Sequence, residues 1–132
     1  MTMRYYCYGN KEGRIYDPTP EEIERAIDEL MPIENDFFVL DSIEPINNCR
    51  MVQTIIDNEK NDDSPKLRYH VETQFTYCKE APFAEGNFTQ YKKYTTDVNE
   101  VKMLFRMFAL GETPDVTGWE DITAEIIALR DK

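Results

Sequence analysis

The stretch from Asp97 to Trp119, DVNEVKMLFRMFALGETPDVTGW, most constrains what this chain can fold into. Val101, Leu104, Phe105, Phe108 and Ala109 recur at i, i+3, i+4, i+7 and i+8, which draws one apolar stripe along a helix. Asp97 stands where an N-cap accepts from free helix N–H groups, and Glu100 three positions on can reach back to the cap backbone. Gly111 follows the last apolar turn, where a left-handed residue closes a helix at least steric cost. Met103, Met107 and Leu110 widen the stripe beyond one narrow face. That leaves Asn99, Glu100, Lys102 and Arg106 as the solvated positions and predicts a helix laid against a sheet. The loop from Glu112 to Gly118 then delivers the only tryptophan, Trp119, read as a core plug rather than an interface anchor.

The rest of the chain supplies that sheet. Met3 to Tyr8 (MRYYCY) is aromatic-rich and reads as a strand, GNKEG as a turn, and Arg14 to Tyr16 as the returning strand. DPTP sets up a second helix, with Thr19 as N-cap, Pro20 at the first helical position and Glu22 completing a capping box. Its buried stripe is Ile23, Ala26, Ile27, Leu30 and Met31, its exposed side pairs Arg25 with Glu21 and Glu29, and Glu24 and Asp28 are left unpaired. Pro32 ends it. Phe37 to Leu40 is a short strand, and Asp41 to Asn48, with Pro45 and two asparagines, is a loop. Cys49 to Asp57 and Lys66 to Tyr77 are two longer antiparallel strands joined by the acidic NEKNDDSP. In the second, Leu67, Tyr69, Val71, Thr73 and Phe75 alternate with Lys66, Arg68, His70, Glu72 and Gln74, one face buried and one wet. Phe88 to Thr95 is the last long strand, its Tyr91-Lys92-Lys93-Tyr94 centre suited to an edge. After Trp119 come a short strand or turn and a terminal helix with Ile122, Ile126 and Leu129 inward. The expected fold is α+β, a single domain over residues 1–132, with an antiparallel sheet and two or three helices packed on one face.

Charge is the strongest compositional signal. The net charge is −11, and between Glu12 and Asp63 there are 15 acids against 4 bases, while the remainder holds 11 of each. Such a surface repels nucleic acid and anionic lipid and suits a basic protein partner. No apolar run approaches the roughly 18 residues of a membrane span, and MTMRYYCYGN does not read as a signal peptide. With three widely spaced cysteines, Cys7, Cys49 and Cys78, the expectation is a cytoplasmic protein with reduced, partly buried thiols.

No constellation in the chain selects a reaction. His70 is the only histidine; a thiol dyad with a cysteine needs only spatial proximity, but no elbow or glycine-rich motif surrounds any cysteine, and His70 falls on the wet face. Asp57, Glu59, Asp62 and Asp63 lack the order and the closing bidentate Glu of a calcium loop. One histidine without paired cysteines excludes a zinc site, and no phosphate-binding or dinucleotide fingerprint is present. The expectation is therefore no catalytic residue, no cofactor and no metal. The exposed acids least needed by the fold are Asp57, Glu59, Asp62 and Asp63 at the hairpin tip, with Asp41 and Glu44 in the preceding loop. These six are the candidate partner-binding residues.

The capped helix PTPEEIERAIDEL, the strand FFVL, two longer strands, and a strand leading into D-x-x-E-V-x-x-L-F-x-x-F-A-x-G, a proline loop and a tryptophan resemble an immunity-protein family of bacterial polymorphic toxin systems, often encoded beside deaminase-type toxins. The resemblance runs from about Pro18 to Trp119. It implies a non-enzymatic cytoplasmic inhibitor that occludes a cognate secreted toxin domain, and it carries over no interface residue. Toxins that act on nucleic acid are basic around their sites, which fits an acidic inhibitor. The alternative is a small-molecule-binding or enzymatic α+β domain with its pocket between sheet and helices.

Overall fold

The computed structural model describes residues 3–9, 13–33, 36–57 and 67–131. Its strands are β1 (Tyr5–Gly9), β2 (Ile15–Tyr16), β3 (Phe38–Ile46), β4 (Cys49–Ile56), β5 (Tyr69–Thr76), β6 (Phe88–Thr95) and β7 (Glu120–Asp121). Its helices are α1 (Pro20–Asp28), α2 (Val98–Ala109) and α3 (Thr123–Arg130). The strands form one antiparallel sheet in the order β2-β1-β3-β4-β5-β6-β7. This is the α+β architecture that the sequence predicts. No helix among the described residues is long and apolar enough to cross a membrane.

Register decides which face is the core. Cys7 lies opposite Leu40, Leu40 opposite Val52, and Val52 opposite Thr73. Side chains alternate along each strand, so Tyr5, Cys7, Phe38, Leu40, Val52, Ile56, Tyr69 and Val71 share one face. Ile23 and Ile27 of α1, Leu30 just beyond its end, and Val101, Phe105 and Phe108 of α2 close over it. Tyr5 donates its hydroxyl to the Phe108 carbonyl at 2.7 Å, tying β1 to the C-terminal turn of α2. Burial raises that phenol above its ordinary 10.0.

The helix starts follow from their caps. Thr19 Oγ1 accepts from the Glu22 N–H at 3.1 Å and Glu22 returns a carboxylate to the Thr19 N–H at 2.9 Å, completing the capping box. Asp97 accepts from Asn99, but Glu100 does not reach back; it pairs with Lys93 of β6 at 2.7 Å, and Thr95 takes the Asp97 N–H instead. Gly111 adopts a φ of 94°, the left-handed residue expected after α2.

Several expectations are corrected. The segment expected as a loop after Leu40 is strand: β3 runs on to Ile46, and Asn47 and Asn48, at φ 48° and 71°, make a two-residue hairpin turn. Pro45 is tolerated because the β3–β4 register shifts between Asp41 and Ile46, and a bulge needs no ladder N–H there. Met31 is exposed, because α1 ends at Asp28 and the chain has turned away from the core. Met103, Met107 and Leu110 are also exposed: a single layer of sheet and α1 covers only part of the circumference of α2. Glu24 and Asp28 are not unpaired. Arg106 holds Glu24 at 2.9 Å and Lys102 holds Asp28 at 2.7 Å, so the polar sides of α1 and α2 face each other. Leu67 is exposed, and so is Leu129 of α3, which has no fully buried residue of its own. Trp119 is half-buried against the core with Lys93 above its ring, as a plug at its edge.

Candidate functional site: the uncovered face of the sheet

The other face of the sheet carries neither α1 nor α2. Register places Tyr6, Asp41, Met51, Gln74 and Gln90 in one row across it, and Tyr8, Val39, Gln53, Glu72, Lys92 and Glu120 in the next. Ile55, His70 and Tyr94 form the row beyond. The 77–87 loop and α3 reach only one end of this face: Arg50 stacks on Phe83, and Arg130 donates to the Phe83 carbonyl.

A continuous polar chain crosses it. Tyr6 donates to Asp41 at 3.0 Å; Arg50 lies 3.9 Å from the same carboxylate and donates to Gln74 at 3.3 Å. Gln74 donates to Gln90 at 3.0 Å, and Gln90 donates to Glu72. Glu72 Oε2 lies 3.2 Å from His70 Nε2, off the hydrogen-bond axis. Gln74, expected on the wet side, is buried because it joins Arg50 to Gln90. Burial raises the Asp41 carboxyl above its ordinary 3.8 despite the Arg50 charge. In Glu72 burial also opposes ionisation, but His70, Gln90 and Gln53 outweigh it and hold the carboxyl below 4.5.

Around this chain the surface is aromatic. Tyr16 and Tyr94 are exposed, Tyr6 and Tyr8 stack on each other, and Ile55 adds an apolar side chain. Cations lie over the rings: Arg14 over Tyr6, and Arg68 and Lys92 over Tyr94. Among the described residues, three carboxylates of the face have cationic neighbours, Asp41 with Arg50, Asp57 with Arg68 and Glu120 with Lys92, and Glu72 lies beside His70. In a chain of net charge −11, this face is close to balanced.

The structure separates the six acids expected to bind a partner. Asp41 is a correction: it is buried in β3 between Tyr6 and Met51 and serves the polar chain, so it is not an exposed loop acid. Glu44 is exposed near the turn from β3 into β4, paired with Lys79 at 3.2 Å. Asp57 follows the opposite end of β4, near Arg68 and His70. Glu59, Asp62 and Asp63 lie outside the described residues. Of the described members, Asp41 lies within the aromatic face, bonded to Tyr6, and Asp57 borders it. The sequence reading missed Tyr6, Tyr8, Tyr16, Ile55 and Tyr94 as surface features, although period two places Tyr6 and Tyr8 together.

Two of the three cysteines, Cys7 and Cys49, are separated from His70 by the sheet. Cys7 and Cys49 form no disulfide and are buried on the helix side of the sheet, while His70 lies on the other face. Burial pushes the Cys49 thiol to about 11, so it stays protonated at neutral pH. Among the described residues no cluster of histidine, cysteine and carboxylates is arranged to hold a metal ion. Comparisons with family models, with curated proteins and with solved structures give no match.

Proposed function

We propose that this chain is an immunity-type inhibitor: a non-enzymatic cytoplasmic protein that binds a cognate toxin domain and covers its active site. The observation that carries the reading is the composition of the uncovered sheet face. Tyrosine and arginine are the side chains enriched where proteins bind one another, and unpaired charge is depleted at the centre of such patches. Here tyrosines with stacked cations surround carboxylates that are already paired. Asp57 stands at the rim, where the acidic sequence of the β4–β5 connection steers a basic partner toward the face.

The alternative put a ligand between sheet and helices. Under α1 the cavity lined by Cys7, Ile15, Ala26, Leu30 and Phe38 holds about 30 Å³, room for a water or two against roughly 300 Å³ or more for a small-molecule site. The wider hollow of about 620 Å³ between β6 and α3, lined by Phe88, Thr89, Thr123, Ala124 and Ile127, is the place where that alternative would be tested.

The test is to look for a toxin domain encoded beside this chain's gene and to co-express the two. The reading expects growth to be restored and the two proteins to co-purify. A toxin that kills equally well in the presence of the folded protein contradicts it.

A further inference from the structure

We propose that Tyr6, Tyr8 and Tyr16, with the Asp41 carboxylate at their base, form a binding site for a guanidinium group, held in the free protein by the chain's own Arg14 and taken over by an arginine side chain of the partner. The inference deepens the inhibitor reading by naming the group that enters the face, and it rests on that reading for whose arginine it is.

Strand pairing builds the site. Tyr6 and Tyr8 alternate onto one face of β1, and their rings stack at 6.0 Å and 19°. β2 sets Tyr16 opposite Tyr6, the ring centroids 5.9 Å apart and tilted by 49°, so the rings form an angled wall. On the other flank β3 sets Asp41 opposite Tyr6, which donates its hydroxyl to the carboxylate at 3.0 Å. The result is a π surface with a fixed negative charge at its base, a combination that holds a planar cation.

Arg14 reports what that surface selects. Its guanidinium lies 4.4 Å from the Tyr6 centroid, has the Tyr16 hydroxyl as a further partner, and stands within electrostatic reach of Asp41. Arg14 is exposed and immediately precedes a strand of only two residues at the sheet edge. A cation–π contact in contact with water is weak, so Arg14 gives up the ring at little cost. Charge names the group that replaces it. The carboxylate and the ring faces repel anions, and the net charge of −11 gathers cations around the molecule. Lysine fits less well, because its ammonium is a compact, strongly hydrated charge without a planar face to stack.

The experiment is titration with two end-blocked peptides, Gly-Arg-Gly-Arg-Gly and Gly-Lys-Gly-Lys-Gly, at fixed ionic strength, followed by NMR of the tyrosine rings. The arginine peptide is expected to shift the ring signals of Tyr6, Tyr8 and Tyr16 and to bind about two- to fivefold more tightly than the lysine peptide. Arg14→Ala empties the site and is expected to tighten arginine-peptide binding by about two- to fivefold, the worth of one exposed cation–π contact. Tyr16→Ala and Asp41→Asn, each added to Arg14→Ala, are expected to abolish that gain. Tyr16 is 48% exposed, so its substitution tests the site even where Asp41→Asn lowers the melting temperature. Arg106→Ala removes the same charge from α2, on the opposite side of the sheet, and is expected to leave the affinity unchanged. Ring signals that do not move, equal affinity for the two peptides, or an Arg14→Ala variant that binds no better than Arg106→Ala each overturn the inference. The assay contains no toxin, so its failure is distinct from a failure of the co-expression test.

Discussion

Gly9 closes β1 so tightly against β3 that a Cβ there would meet the Phe37 carbonyl oxygen at 2.7 Å. The obstacle is backbone, so relief requires the two strands to part. Gly9→Ala is expected to cost about 1–3 kcal/mol, the range for overpacking, read as a lower urea midpoint with unchanged slope. Glu72 makes a prediction in pH. Its folded value lies below 4.5, so its contribution to stability is complete above the unfolded value and is lost as pH falls through the folded one. Glu72→Gln is expected to flatten the decline in stability on the acid side of 4.5, measured by denaturation at a series of pH values. Asp41 acts with the opposite sign: its carboxyl is raised, so its contribution weakens as pH climbs above 3.8. A Glu72→Gln profile that parallels wild type would mean the polar chain does not hold the ionised form.

Elements were most legible where a cap or a period carried them. Thr19→Ala removes the acceptor of the Glu22 N–H and is expected to lower stability by about 1 kcal/mol, seen in the denaturation midpoint. Phe105→Ala leaves a cavity at the centre of the core and is expected to cost about 3–5 kcal/mol by the same assay. Both residues follow from local pattern alone. The full length of β3 was not legible, because Pro45 and paired asparagines signal a loop unless a bulge and a left-handed turn absorb them. Nor was the exposed side of α2, since an apolar stripe on a helix does not show how much of its circumference a neighbour will cover. The candidate site was legible only in part. Period two marks Tyr6 and Tyr8 as facing the same way, but their meeting with Asp41, Tyr16 and Tyr94 depends on strand order. Sequence distance conceals that order: β1 pairs with β3, with α1 in between.

At the scale of the whole molecule, the sheet divides two kinds of surface. One side is closed by α1 and α2 over the core; the other presents tyrosines, stacked cations and a polar chain whose carboxylates are paired. The central claim is that this second side is where a toxin domain binds. Calorimetric titration with a toxin domain that the protein neutralises on co-expression tests it, with wild type, Tyr94→Ala, Ile55→Asp and, as a control on the opposite side, Glu21→Lys. All variants must first melt as the wild type does. The account expects Tyr94→Ala and Ile55→Asp each to cost about 2 kcal/mol or more of binding, roughly thirtyfold in Kd, as truncated anchors at the centre of an interface do, while Glu21→Lys changes affinity little. Face variants that bind as tightly as the wild type would contradict it.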